Sequence, residues 1–179
     1  MYGTDRLTGI ILSIDDTSAT YFPFGMNKIP NLSKAFLDKL MKLCIEQQDR
    51  LVAHNKKFDR QVMMMEGYDL RIKWDTQIIS FMLNPVIEQG AHALKTLIDK
   101  LFGEKFLELD EIFISSANID FSVLDADITK IYACPDSINA VRLLKALKKD
   151  VPDIMWPIIN VEMALADLKA DQELSLIHI

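Results

Sequence analysis

The stretch Leu51-Val52-Ala53-His54-Asn55-Lys56-Lys57-Phe58-Asp59 constrains this chain more than any other. Leu51, Val52 and Ala53 are apolar, follow the charged pair Asp49-Arg50 and read as a buried strand. A helix takes over within a few residues, runs through Val62, Met63, Met64 and Met65, and stops at Gly67. Polar groups are thus gathered where a strand gives way to a helix, and in α/β folds ligands sit at the carboxyl ends of strands. Asp59 falls at the helix start, where the macrodipole favours a carboxylate. Asn55 ends the strand, and its side-chain amide is expected to fix the turn. An isolated Asp in this position is most often a helix-start carboxylate without a ligand; only a wider pattern raises Asp59 above that reading.

The chain is half hydrophobic over 179 residues, with a net charge of −6, which suits one soluble α/β domain with a proper core. It has no apolar run that would span a bilayer and no signal-peptide pattern at Met1-Tyr2-Gly3-Thr4-Asp5, so no membrane partner is expected. Two isolated cysteines, Cys44 and Cys134, form no zinc-type cluster and suit a reduced, cytoplasmic setting. The acidic balance argues against a basic, sequence-nonspecific DNA coat but leaves room for a nuclease, whose metal-binding carboxylates make its site negative. Arg50, Lys56, Lys57, Arg60, Arg71 and Lys73 cluster in sequence around the candidate site. They read either as phosphate contacts or as a solvated charged face.

In chain order, Leu7–Ile14 and Thr20–Phe24 read as two strands of a hairpin turning at Asp15-Asp16-Thr17-Ser18, with Pro23 at an edge. Pro30-Asn31-Leu32-Ser33 opens a helix whose apolar face is Phe36, Leu37, Leu40, Met41 and Cys44. Gln77–Leu83 is a buried helix ended by Asn84-Pro85. Another begins in Gly90-Ala91-His92-Ala93-Leu94 and stops near Gly103, with His92 a helix-start or packing residue. Phe106–Ser116 has no firm assignment. Asp125–Lys149 is the longest helical stretch, kinked or divided at Pro135, with Ile128, Ile131, Tyr132, Ile138, Val141, Leu143, Leu144 and Leu147 on its buried side. After Val151-Pro152 a last helix spans roughly Ile158–Ala170.

Asn55-x-x-Phe58-Asp59 resembles the second motif of the DEDD 3′–5′ exonucleases. The continuation Gly67-Tyr68-Asp69-Leu70, Trp74-Asp75-Thr76 and Phe81-Met82-Leu83-Asn84 is similar to the proofreading domain of bacterial-type, family A DNA polymerases. His92-Ala93-Leu94 and Glu162-Met163-Ala164-Leu165 extend the likeness, the latter partially, since the family usually has Pro where Ala164 stands. The resemblance implies an α/β, ribonuclease H-like fold: a mixed sheet flanked by helices. It also implies hydrolysis of 3′-terminal nucleotides from single-stranded DNA, in a protein that carries a polymerase domain in the same chain. Four carboxylates would hold two divalent metals, Mg²⁺ or Mn²⁺, ~4 Å apart. Asp59 is implied as a metal ligand, with Asn55 and Phe58 flanking it at the substrate.

The third motif of this subclass, Tyr-x-x-x-Asp, matches Tyr132-Ala133-Cys134-Pro135-Asp136. The spacing puts both side chains on one helical face, so that Asp136 is a ligand and Tyr132 points toward the attacking water. Pro135 departs from the family, which usually has an acidic or small residue there. The first motif, Asp-x-Glu on the first strand, is absent. Asp15-Asp16-Thr17 lacks the Glu, and Asp5 has no acidic partner at the right spacing. The first strand is therefore expected to be missing, with half of the metal ligands, and this chain to be inactive by itself. The division expected is an incomplete exonuclease domain over residues 1–150 and a helical link towards a polymerase domain over 151–173. Residues 174–179 resemble a translated sequencing-library adapter. Two other readings compete: a ribonuclease D-like exonuclease acting on RNA, and a non-catalytic nuclease-fold scaffold. Intact Asp59, Tyr132 and Asp136 speak against the latter.

Overall fold

Gly9–Ser13 (β1) and Ala19–Pro23 (β2) pair antiparallel, with Ile11 opposite Tyr21, and form the expected hairpin. The structure is a computed structural model, and it describes residues 7–85, 87–105 and 121–177. At the hairpin turn Asp15 Oδ1 accepts four bonds, from the backbone N–H and hydroxyl groups of Thr17 and Ser18. These bonds hold its carboxyl down at about 2. Asp16 pairs with Lys145 at 2.8 Å. The one acidic pair near the first strands is thus occupied in shaping and tethering a turn.

Lys34–Glu46 (α1) starts at Ser33, whose hydroxyl caps Phe36 N–H, and buries Leu37, Met41 and Cys44. Val52–Ala53 (β3) leads into Lys56–Met65 (α2). This helix ends as the glycine signals: Gly67 takes φ 89°, its N–H bonds Met64 O, and Tyr68 N–H bonds Met63 O, closing the left-handed C-terminal motif. Trp74–Asp75 (β4) pairs parallel with β3, Val52 opposite Trp74. Thr76–Leu83 (α3) and Leu94–Phe102 (α4) follow, the latter closed by Gly103 at φ 69°. Ala126–Asp150 (α5) runs as one helix with Pro135 inside it, and Trp156–Ile177 (α6) is the last element.

Three expectations need correction. One mixed sheet is expected; instead β1–β2 and β3–β4 form two separate two-stranded sheets. On α5 the buried line is Thr129, Ala140, Leu143 and Leu147. Ile128 and Ile131 lie off it by helical rotation and are exposed. The last helix is longer than expected at both ends and runs into residues 174–177, with Leu174 buried. The unassigned stretch Phe106–Ser116 lies outside the described residues.

Two apolar clusters hold the domain. One, around Leu37, Met41, Ala53, Met63, Leu70 and Ile72, lies under the β strands and α1–α2. The other, around Ile79, Ile98, Leu143, Leu147, Ile159 and Met163, joins α3, α4, α5 and α6. Helix α5 packs on β1, β2 and β3 and so spans both half-sheets. No helix among the described residues is long and apolar enough to cross a membrane.

Candidate active site

A cleft of about 620 Å³ opens between the two half-sheets. One wall is residues 7–12, on β1 and the segment just before it, and the other is residues 51–54, on β3 and its two flanking residues. Successive side chains of a strand point to opposite faces, so a wall of consecutive residues is a strand edge rather than a face. Among the described residues, strand β1 is paired only with β2, and β3 only with β4. The cleft is therefore bordered by two edges that are unpaired among the described residues. Helix α2 lines it through Phe58, Asp59, Val62 and Met63, and α5 through Ala133, Asp136, Ser137 and Ala140, with Met41, Cys44, Leu70, Ile72 and Leu94 completing the lining.

The sequence-predicted carboxylates Asp59 and Asp136, 77 positions apart in sequence (136 − 59), thus line one cleft from two helices. Asp59 stands in the first turn of α2. Burial, with the negative charge of Asp75 added, pushes its carboxyl up to about 7. It is a carboxylate placed where ionisation is costly unless a cation answers it. Phe58 is half-exposed at the cleft. Tyr132 stands one turn before Asp136 on α5, outside the cleft lining, with Lys95 Nζ 4.7 Å from its ring centroid. Asn55 adopts the left-handed conformation, φ 70°, ψ 56°, which Asn tolerates better than most residues. Contrary to expectation its side chain makes no capping bond to α2. That helix start is answered from another strand.

Asp75 does the capping. Its carboxylate is buried and accepts Asn55 N–H (3.1 Å) and Lys56 N–H (2.9 Å) at the start of α2. It also accepts Gln77 N–H (2.8 Å) and Ile78 N–H (3.4 Å) at the start of α3. One side chain thereby serves the positive ends of two helices. An Asp before an apolar helix signals the second role; the first depends on the β3–β4 pairing and has no local signature. Beside it His54 Nδ1 lies 2.8 Å from Thr76 Oγ1, while buried Nε2 finds no partner among the described residues. Burial, opposed by Asp75, pushes the imidazole below its ordinary value and keeps it neutral at pH 7.

The basic cluster is neither a phosphate surface nor a solvated face in its central members. Lys56 and Arg60 are almost fully buried. Lys56 Nζ donates to Ile72 O (2.9 Å) and Asp167 (3.0 Å). Arg60 donates to Asp171 (2.6 Å), Asp69 (2.5 Å) and Leu70 O. Lys57 and Gln61 reach Glu173. The face of α2 turned away from the cleft is therefore bound to α6 by ion pairs and hydrogen bonds. Partners more than 100 residues away gave the sequence no means of announcing this. His92 is the packing residue expected, 2.8 Å from Ser80 Oγ and edge-on to Phe81.

A divalent metal pair is not accommodated by the described residues alone. No group of three or more His, Cys, Asp or Glu side chains converges among them. Asp59 and Asp136 are an acidic, hard-oxygen donor set, the right chemistry for Mg²⁺ or Mn²⁺, but too few donors for two ions.

This cleft and its two carboxylates belong to a 3′–5′ exonuclease domain. The family model so described matches residues 2–152, and the chain belongs to that family. Among curated relatives, DNA polymerase I of Rhizobium leguminosarum is 30% identical over 123 residues. That match covers 68% of this chain and 12% of the polymerase, so the chain corresponds to a small part of the relative's length.

Proposed function

We propose that this chain is the greater part of a proofreading domain of a DNA polymerase I-like protein, and that the cleft between its half-sheets is the seat of a further strand. The cleft itself carries this reading: two strand edges, unpaired among the described residues, border one apolar slot, and two carboxylates open onto it. Exposed edges are a liability, and an edge pair flanking a slot is satisfied by one inserted strand. The order would become β2, β1, inserted strand, β3, β4, a single mixed sheet of ribonuclease H-like type. A strand bearing Asp-x-Glu in that seat would bring two more carboxylates to Asp59 and Asp136. The described residues leave that strand unfilled, so the present chain is proposed to be inactive or nearly so.

In the completed domain Asp59 and Asp136 would hold divalent metal, which supplies charge neutralisation at the scissile phosphate and an activated water. Tyr132, on the same face of α5 as Asp136, would orient that water. Asn55 and Phe58, at the mouth of α2, would hold the terminal nucleotide of a single-stranded 3′ end, Phe58 offering a half-exposed ring for stacking. The polymerase relative favours DNA over a ribonuclease D-like RNA substrate, and a polymerase domain in the same chain as the partner. Residues 1–150 would be the exonuclease domain and 151–173 the link towards the polymerase. A cytoplasmic location follows from the same reading.

The test is mutational, in a protein whose upstream strand is present. Asp59→Ala and Asp136→Ala should each abolish metal-dependent release of 3′ nucleotides while leaving the circular dichroism spectrum unchanged. Tyr132→Phe should slow release by roughly 10²-fold. Wild-type rates in Asp59→Ala would remove the site.

A further inference from the structure

Two lysines from distant segments converge on one indole. Lys148 Nζ, near the end of α5, stands 3.4 Å from the centroid of the Trp74 ring. Lys73 Nζ, from the residue before β4, stands 5.7 Å from the same centroid. Trp156, at the start of α6, meets Trp74 edge-on with ring centroids 5.9 Å apart. Both indoles are half-buried on the second apolar cluster, so the platform under the two ammonium groups is fixed. None of these four residues lines the cleft. Lys148 lies 12 positions beyond Asp136 on α5 (148 − 136), about 18 Å along the helix.

No carboxylate answers this pair. Among the described residues neither Lys73 nor Lys148 takes part in an ion pair, whereas Lys34, Lys56, Lys57, Lys130 and Lys145 each do. Burial, with the charge of Lys73 added, pushes the Lys148 ammonium below its ordinary value. The ring attracts each ammonium but leaves both charges unneutralised. The charges next in sequence cancel: Asp49 with Arg50, in the turn whose Gln48 O accepts Lys73 N–H, and Lys149 with Asp150. We propose that Lys73 and Lys148, seated on Trp74, hold backbone phosphate of a single-stranded nucleic acid at a second site, away from its reacting end. Lysine binds phosphate as a point charge, and cations interleaved with aromatic rings are the pattern of single-strand binding. The choice of a nucleic acid over an acidic protein segment follows from the exonuclease family, and the choice of DNA rests on the proofreading reading.

Trp74 and Trp156 are the two tryptophans of the chain, so its indole emission reports this site. The 1–179 chain is titrated in EDTA with a 5′-fluorescein oligothymidylate of about 12 nucleotides. Indole emission and probe anisotropy are followed across about 50–200 mM salt. Emission should change saturably, in step with the anisotropy. Lys73→Gln/Lys148→Gln should weaken binding roughly tenfold or more. It should also flatten the slope of log affinity against log salt by about 1.4, the value for two phosphate contacts to a single strand. Lys148→Arg, which keeps a cation on the ring, should bind as the native chain does. Unchanged affinity and slope in the double variant would overturn the proposal. So would equal losses in Lys148→Arg and Lys148→Gln, because charge would not be the cause. A polyglutamate that competes as well as unlabelled oligonucleotide would also overturn it, and the surface would then be one for an acidic protein segment. No hydrolysis is measured, so failure here and failure of the exonuclease reading are separable.

Discussion

Replacing Asp75 by Ala should cost this domain more than removing any carboxylate at its cleft. The side chain is buried and accepts backbone N–H groups at the starts of both α2 and α3. Loss of one N-cap typically costs about 1 kcal/mol. A hydrogen bond to a charged group contributes about 1.5–3 kcal/mol, and the donors left behind here are largely shielded from water. Two caps lost together amount to about 3 kcal/mol. Some of that is offset, because the charge of Asp75 also raises the cost of ionising Asp59. For a chain of this size about 3 kcal/mol lowers Tm by roughly 6–12 °C. Asp75→Asn keeps an acceptor at Oδ1, which carries three of the four bonds, and should lose only about 1 kcal/mol. The assay is urea and thermal unfolding followed by circular dichroism at pH 7.5. A loss below about 0.5 kcal/mol in Asp75→Ala would show that other groups satisfy these helix starts, and the dual-cap argument would fall.

Two further outcomes follow from the same charges. The Asp59 carboxyl has a folded value of about 7, above the ordinary aspartate value. Its contribution is therefore favourable below the unfolded value and is lost as pH rises through about 7. After a discount for its partial exposure, the metal-free chain should lose about 1–2 kcal/mol between pH 5.5 and 8.5, and Asp59→Asn should flatten that slope. Unfolding titrations across that range check it; identical slopes would contradict it. Arg60→Ala should destabilise by about 3 kcal/mol, since it breaks a buried ion-pair set, whereas Asp69→Asn, at an exposed partner, should cost under about 1 kcal/mol. Denaturant midpoints with unchanged m-values would check both, and equal losses would contradict the division.

Much of this architecture was legible locally. The hairpin, the Ser33 start of α1, the Gly67 stop of α2 and the helical spacing of Tyr132 and Asp136 each follow from a few adjacent residues. The strands come out shorter than their apolar content suggests, because pairing rather than composition sets their ends: Val52–Ala53 pairs with Trp74–Asp75 over two residues. What was illegible is tertiary. Lys56 and Arg60 look like surface cations until α6 returns Asp167 and Asp171 across more than 100 residues. Asn55 was a reasonable cap from its position, yet the capping oxygens come from Asp75 on the neighbouring strand. The split of the expected sheet into two pairs was also invisible in any single segment, since each strand is sound by itself and the cleft between β1 and β3 shows only in the assembled fold.

The most direct measurement is a time course on 5′-labelled single-stranded DNA, with Mg²⁺ or Mn²⁺ and with EDTA, for two proteins. One is the 1–179 chain; the other is the same chain preceded by an added segment bearing an Asp-x-Glu strand. The extended protein should shorten the DNA from its 3′ end only with metal, and the 1–179 chain should leave it intact, because Asp59 and Asp136 alone are too few ligands for two metals. Robust metal-dependent degradation by the 1–179 chain would contradict the claim that the cleft awaits a strand carrying essential ligands.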